Sequence, residues 1–251
     1  MQGKCAIVTG AARGIGLALT DVLLESDWRV AMADIDGDEL HDAAAARDGV
    51  LAIEADVSDP DDVARMIERT TAWAGRLDGL VNNAGVAHFG PLEQTSFEAW
   101  REVMSTNLDG PFLCTQAALP ALKETCGAVV NIASISGLRA STLRVAYGTS
   151  KAGVIHLTKQ HAAELGEFGI RVNCVCPGPV RTKLAMAVHS QAIIDAYHDA
   201  IPLNRYGTER EIAEVIAFLL SEKASYVTGQ VLAADGGFES TGVGLPALRD
   251  D

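Results

Sequence analysis

The sequence lacks the features of a membrane-spanning, nucleic-acid-binding or exported protein. It has no run of about 18 apolar residues, so no segment is expected to span a membrane. Its 20 lysines and arginines face 33 aspartates and glutamates, and the net charge of −13 argues against nucleic acid, which needs a basic face. The start, MQGKCAIVTG, has no signal-peptide layout, so we expect a cytoplasmic protein.

Cysteine is scarce and odd in number, with five in 251 residues. Cys174 and Cys176 alternate with Val175 in an apolar run, which would turn both thiols to one face of a strand. No second pair of cysteines or nearby histidines completes a zinc pattern. We therefore predict no metal site, and buried free thiols in a reducing compartment.

Neither a low-complexity linker nor an internal repeat divides the chain. Short apolar strands alternate with helical patterns throughout, which predicts right-handed βαβ crossovers and a parallel sheet with helices on both faces. The predicted fold class is therefore α/β, a doubly wound Rossmann-like sheet in a single domain over residues 1–239. A less regular helical segment at 183–201 is predicted as a substrate loop, and a polar tail at 240–251 as loosely ordered.

The first strand runs into the glycine-rich sequence TGAARGIG at residues 9–16. A glycine turn between strand and helix brings the backbone close to a phosphate and aims the helix N-terminus at it. The second strand ends at Asp34, where an acid binds the adenine-ribose 2′-hydroxyl and repels a 2′-phosphate. We therefore predict NAD as cofactor, with NADP disfavoured. Arg13 is a contrary sign, which Asp34 and Asp36 should outweigh.

Tyr147 and Lys151 are four residues apart and share one face of a predicted helix. A fixed ammonium beside a phenol favours the phenolate and lowers a pKa that is about 10 in isolation. A tyrosine tuned in this way exchanges a proton with an alcohol near neutral pH. Ser134 ends an apolar strand thirteen residues upstream of Tyr147.

Polar or turn residues follow five different predicted strands. Because ligands bind at the carboxyl ends of strands in an open parallel sheet, we expect these residues to converge on one edge. They are Gly10, Asp34, Asn83, Ser134 and Pro177.

In this order the motifs resemble the compact short-chain dehydrogenase/reductases over about residues 4–238. The markers are TGAARGIG at 9–16, Asn82-Asn83-Ala84-Gly85, Asn107 inside a long predicted helix, Ser134, Tyr147-x-x-x-Lys151 and Pro177-Gly178. The resemblance implies a seven-stranded sheet, a homotetramer or homodimer, and hydride transfer to or from a nicotinamide.

The resemblance also implies a role for each matched residue. Tyr147 would be the general acid/base, and Lys151 would lower its pKa and bind the nicotinamide ribose. Ser134 would hold the substrate oxygen, and Asn107 would anchor a water that links Lys151 to solvent. The implied cofactor contacts are Gly10, Arg13, Gly14, Ile15, Gly16, Asp34, Asp56, Val57, Asn83, Ala84, Gly85, Tyr147, Lys151, Pro177, Gly178, Val180 and Thr182.

The substrate is the least determined feature. Besides Ser134 and Tyr147, Arg144 is a candidate substrate contact for an anionic or polyhydroxylated group, with a surface arginine as the alternative. We favour a small secondary alcohol, polyol or sugar. A 3-oxoacyl carrier-protein reductase, a non-catalytic NAD sensor and a sugar-nucleotide enzyme stay as alternatives; the complete set of four predicted catalytic residues argues against the sensor.

Overall fold

The computed structural model describes residues 3–182 and 189–241. Seven strands form one parallel sheet in the order β3-β2-β1-β4-β5-β6-β7, which confirms the predicted doubly wound α/β fold. Between β1 and β4 the strand order reverses, which creates the crevice where such sheets bind ligands. The strands are β1 (Cys5–Thr9), β2 (Arg29–Asp34), β3 (Val50–Glu54), β4 (Gly79–Asn82), β5 (Ala128–Ile132), β6 (Arg171–Pro177) and β7 (Val231–Ala234).

Helices follow the strands on both faces. Within the described ranges, no helix is long and apolar enough to cross a membrane. The helices are α1 (Gly14–Glu25), α2 (Gly37–Ala45), α3 (Pro60–Ala74), α4 (Phe97–Met104), α5 (Gly110–Thr125), α6 (Ile135–Leu138), α7 (Val145–Leu165), α8 (Gln191–Ala200) and α9 (Glu209–Leu220).

Successive strand residues feed two separate hydrophobic layers. Val8 packs with Leu19 of α1 and Ile216 of α9 on one face of the sheet, whereas Ile7 packs with Met66 of α3 on the other. All five are fully buried. Since burying one such side chain contributes about 1.5–3 kcal/mol, this alternation fixes which face each helix covers.

The long helix predicted around Asn107 is interrupted. A π-helical turn at Ser105–Asp109 joins α4 to α5, and Asn107 is buried inside it. A regular helix would have the residue-111 N–H donate to the Asn107 carbonyl, but Pro111 has no N–H. This proline explains why the α-helical pattern breaks at Asn107.

Several predicted boundaries need correction by a few residues. The apolar runs at 127–133 and 170–175 predict strands from the sequence, and in the structure these strands are β5 at Ala128–Ile132 and β6 at Arg171–Pro177. The helix α6, directly after Ser134, was not predicted. Of the segment 183–201, the structure shows α8, while residues 183–188 lie outside the described part, as do residues 242–251 of the predicted tail.

Candidate active site

The glycine turn is fastened to the end of β4. Asn83 Nδ2 donates to the carbonyls of Thr9 at 2.9 Å and Gly10 at 3.0 Å. Gly10 has φ +65°, and a Cβ there would lie 2.9 Å from Ala84 Cα. Only glycine fits this position, because both the backbone angle and the space exclude a side chain.

The N-terminus of α1 is open to an anionic ligand. Its N-cap residue, Arg13, makes no capping side-chain hydrogen bond, and its first turn contains no acid. At Gly14, where φ is +59°, the nearest atom to a built Cβ is Glu209 Oε1 at 3.8 Å. Unpaired N–H groups at a helix N-terminus form a site for a phosphate. Ile15 and Gly16 continue this turn into the core.

Asp34 is held at the carboxyl end of β2 by backbone donors. Its Oδ2 accepts from Ala12 N at 3.0 Å, and its Oδ1 accepts from Asp36 N at 3.1 Å. The half-buried carboxylate therefore faces the glycine turn, where the sequence places a ribose-binding acid. Its backbone carbonyl accepts from Ala55 N at 3.0 Å, which brings the end of β3 beside it.

Arg13 points toward carboxylates and is neutralised by them. Its guanidinium pairs with Asp36 at 2.7 Å and with Glu39 at 2.5 Å. The two residues predicted to meet the adenine follow β3: Asp56 Oδ1 accepts from Ser58, while Val57 is buried against Gly110. All of these groups lie on the crevice side of β1, β2 and β3.

The end of β6 completes the same edge. Gly178 N donates to Ala234 O at 3.0 Å, and a Cβ at this glycine would lie 2.6 Å from the Cβ of Asp235. Val180 is buried, and Thr182 N donates to its carbonyl at 2.8 Å. Pro177, the last residue of β6, thus leads into a closely packed turn at the predicted carboxamide site.

Ser134, Tyr147 and Lys151 meet where β5 ends. Ser134 is buried at the N-cap of α6, and its Oγ accepts from Ser136 N at 3.1 Å. Tyr147 lies in the first turn of α7 and Lys151 one turn later, with Nζ 5.7 Å from the Tyr147 ring centroid. Lys151 Nζ donates to Ile132 O at 2.8 Å, so β5 itself positions the ammonium.

Burial is the largest influence on the pKa of the Tyr147 phenol. It raises the pKa of Tyr147 above its usual value, while the Ser134 hydroxyl and the Arg144 charge act in the opposite direction. The expectation that the Lys151 charge lowers the phenol pKa stays a prediction; Lys151 itself donates to the Ile132 carbonyl. Burial also lowers the pKa of Lys151 to about 8.

Asn107 reaches this site through the backbone of Val86. Its Oδ1 accepts from Val86 N at 2.8 Å, and its Nδ2 donates to Val86 O at 2.9 Å and to Ser150 Oγ at 3.1 Å. A Cβ on Gly85 would lie 3.2 Å from Asn107 Oδ1 and 3.4 Å from Lys151 Nζ. The Asn107 amide is thus bound within the protein, and a water anchored by this residue stays a prediction.

An aromatic wall joins the predicted substrate loop to residues that the sequence did not connect with it. His189 Nδ1 and Tyr206 Oη are 3.0 Å apart, and the Tyr197 ring contacts His189, Tyr206 and Phe238 at centroid distances of 5.7, 5.7 and 5.8 Å. His189 and Tyr197 belong to the predicted loop, whereas Phe238 is far from it in sequence, so no local pattern joins Phe238 to that segment.

All five cysteines lie within the described residues and are free, as predicted, but Cys126 is exposed rather than buried. Cys174 and Cys176 share one face of β6, with their Sγ atoms 4.0 Å apart. Within residues 3–182 and 189–241, no group of three or more histidine, cysteine or acidic side chains could hold a metal ion. The groups at the sheet edge suit a dinucleotide, because the open helix N-terminus offers N–H donors to a phosphate and the fixed Asp34 carboxylate offers acceptors to a ribose.

The buried Lys151 ammonium should carry a measurable stability cost. Its pKa of about 8 in the folded protein lies below the ordinary lysine value of 10.5, so the unfolded chain binds more protons and stability rises with pH between these values. Relative to Lys151→Met, the wild-type free energy of unfolding should therefore increase by about 2 kcal/mol from pH 7 to pH 10. Urea denaturation of both proteins at the two pH values measures this difference. A pH-independent difference would mean that the ammonium is not destabilised by burial.

Comparisons with known proteins agree with this geometry. The family model described as enoyl-(acyl carrier protein) reductase matches residues 10–239. The chain is 40% identical over 245 residues to 2,5-dichloro-2,5-cyclohexadiene-1,4-diol dehydrogenase of Sphingobium indicum, covering 95% of this chain and 98% of that protein. It is 38% identical over 242 residues to the 3-oxoacyl-[acyl-carrier-protein] reductase of Thermotoga maritima, covering 94% and 98%.

A solved structure extends the likeness to three dimensions. The crystal structure of levodione reductase matches with a TM-score of 0.91 and 33% identity, covering 95% of this chain and 98% of that one. The shared fold, the near-complete coverage and the family model agree with the motifs at 9–16, 82–85, 134 and 147–151. The chain therefore belongs to the short-chain dehydrogenase/reductase family of oxidoreductases.

Proposed function

We propose that the protein is an NAD-dependent dehydrogenase that interconverts a small secondary alcohol, polyol or sugar and its ketone. The observation that carries this proposal is the convergence of Ser134, Tyr147 and Lys151 at the β5 end of the sheet edge that also carries the glycine turn. One relative bears the name of a dehydrogenase acting on a six-membered ring, a cyclohexadienediol, and the similar solved structure bears the name of a reductase. We therefore favour a cyclic alcohol as substrate.

The proposed proton transfer uses residues of this chain. A bound nicotinamide would accept or supply the hydride. Ser134 Oγ would hold the C–O group, and the Tyr147 phenolate would remove the alcohol proton as the carbonyl forms. Lys151 would hold positive charge behind the phenolate. Its side chain is almost completely buried, and the hydrogen bond to the Ile132 carbonyl fixes the position of its ammonium group. Reduction would reverse these steps.

The preference for NAD over NADP rests on the charges around the adenine ribose. Asp34 and Asp36 put two carboxylates next to the glycine turn, and the cation nearest to them in the described part, Arg13, already pairs with Asp36 and Glu39. A 2′-phosphate would meet net negative charge there. A homotetramer or homodimer in the cytoplasm stays a prediction.

Oxidation of a panel of compounds with NAD⁺, followed as NADH absorbance, tests the proposal. The panel contains cyclic diols, cyclic alcohols, polyols, hydroxy acids and 3-hydroxyacyl thioesters. We expect cyclic secondary alcohols to be oxidised, and NADP⁺ to support a much lower rate. Tight NAD binding without turnover of any compound would contradict the proposal and favour the sensor.

A 3-oxoacyl carrier-protein reductase is the second candidate, because one relative at 38% identity bears that name. Its carrier protein is acidic, and a chain with a net charge of −13 would repel it. Lys123 lies near the start of β5, and its Nζ is 3.5 Å from the centroid of the Phe168 ring. A thioester oxidised faster than every free alcohol in the same panel would favour this candidate.

A further inference from the structure

Arg144 places a cation directly against the predicted catalytic tyrosine. It is the N-cap residue of α7, three residues before Tyr147. Its guanidinium carbon lies 4.8 Å from the Phe89 ring centroid and 5.9 Å from the Tyr147 ring centroid. The side chain is half-buried between these rings, so the charge is partly removed from water.

Among the described residues, the Arg144 guanidinium has no carboxylate partner. Within residues 3–182 and 189–241 it makes no ion pair and no hydrogen bond, although the chain has 33 acidic residues. By contrast, Arg13, Arg205 and Arg210 each pair with at least one carboxylate, while Arg139 resembles Arg144 in having an aromatic contact and no ion pair there. A partly desolvated cation held only by aromatic faces keeps all its N–H donors for a ligand.

The backbone before Arg144 is held in an uncommon conformation. Leu143 has φ +61°, which is rare for a residue with a branched side chain. Its carbonyl accepts from Gly90 N at 3.0 Å, which ties this turn to the loop that carries Phe89. Such a conformation persists where the surroundings impose it. Directly after it, the Arg144 side chain lies between the Phe89 and Tyr147 rings.

Neighbouring histidine and tyrosine side chains add no charge. Burial, helped by the Arg144 cation, lowers the pKa of His189 below its usual value, so this imidazole is neutral at neutral pH. Tyr147 and Tyr206 both have pKa values raised by burial and are neutral phenols there. Lys151 is a second cation against the Tyr147 ring, but it donates to a backbone carbonyl, whereas Arg144 makes no hydrogen bond among the described residues.

We propose that Arg144 binds a carboxylate of the substrate, so that the preferred substrates are hydroxy acids with the carbinol a few bonds from the acid. This inference rests on the proposed function, because it assigns the substrate class of the same site. The Arg144 guanidinium carbon lies 5.9 Å from the centroid of the ring that carries the Tyr147 hydroxyl. One small molecule can therefore reach both groups. A guanidinium binds a carboxylate through two parallel N–H donors, which also fixes the substrate's orientation.

Binding of two matched probes tests the inference without turnover. Cyclohexanecarboxylate and cyclohexanecarboxamide have nearly the same shape and differ in charge. By isothermal titration, with and without NAD⁺, the wild type should bind the carboxylate about 10- to 100-fold more tightly, as expected for a hydrogen-bonded charge. Arg144→Met should remove this preference, and Arg144→Lys should retain part of it.

Arg139→Met is the matched control. Its guanidinium carbon lies 3.8 Å from the Phe238 ring centroid, in another arginine–aromatic contact, and it is not among the groups against the Tyr147 ring. This variant should keep the preference for the carboxylate. Equal binding of the two probes to the wild type, or a preference that survives in Arg144→Met, would overturn the inference.

Turnover separates the inference from the proposed function. With 3-hydroxycyclohexanecarboxylate and its amide, Arg144→Met should raise KM for the acid by about tenfold or more and change the amide little. A parallel loss on both compounds would mean that Arg144 acts through Tyr147, and would overturn the substrate assignment. If neither compound is oxidised, the proposed function fails for this class, while probe binding still decides the role of Arg144.

Discussion

Phenylalanine at position 147 should lower kcat by about 10²- to 10⁴-fold, the usual contribution of a positioned general acid/base. The substitution removes the hydroxyl and keeps the ring, so the contacts of Arg144 at 5.9 Å and Lys151 at 5.7 Å can persist. Dinucleotide affinity, measured from NADH fluorescence, should change little. Folding should also be preserved, since the substitution keeps the aromatic ring and its packing.

Tyr206→Phe is the matched control for this loss. Its hydroxyl lies 3.0 Å from His189 Nδ1 in the aromatic wall, and the ring stays in place after substitution. It should keep most of the wild-type kcat. A Tyr147→Phe enzyme that retains more than about a tenth of the wild-type kcat would contradict the proton-transfer role.

The pH dependence of the oxidation rate is a second test of the role of Tyr147. Because burial raises the pKa of Tyr147, the base form needed for alcohol oxidation becomes more populated as the pH rises. Oxidation by the wild type should therefore accelerate toward alkaline pH. The residual rate of Tyr147→Phe should lack this rise.

Alanine at position 34 should shift the cofactor preference from NAD toward NADP by about 100-fold or more, measured as the ratio of kcat/KM values. Asp34 is held against the glycine turn by the Ala12 and Asp36 N–H groups, so its charge cannot move away from a 2′-phosphate. Like charges in direct contact cost several kcal/mol, which corresponds to this factor. The same substitution removes the acceptor for the ribose hydroxyls and weakens NAD.

Asp34→Asn and Asp36→Ala separate the contributions. Asparagine keeps the shape of the carboxylate and removes its charge, so it should share most of the shift. Asp36→Ala releases Arg13 from one of its two carboxylate partners and leaves Glu39. If Asp34→Ala leaves the NAD/NADP ratio unchanged while Asp36→Ala alters it, Arg13 decides the preference instead.

The fold could be predicted from the sequence alone, because alternating apolar residues and glycine-rich turns are local signals. Ile7 and Val8 face opposite layers simply because strand residues alternate, and each crossover helix must cover one layer. The strand order then follows from right-handed crossovers, and it collects Gly10, Asp34, Asn83, Ser134 and Pro177 at one edge. The spacing of Tyr147 and Lys151 likewise predicts their shared helix face.

The pKa values and ion pairs of the site, by contrast, depend on how distant segments pack against each other. The Ile132 carbonyl that holds Lys151 and the Asp36 and Glu39 carboxylates that neutralise Arg13 come from other elements. The sequence lists these charges, but pKa and pairing depend on burial and on distances of a few ångströms. For the same reason, the position of Arg144 between Phe89 and Tyr147 depends on the packing of two segments, the loop that carries Phe89 and the start of α7.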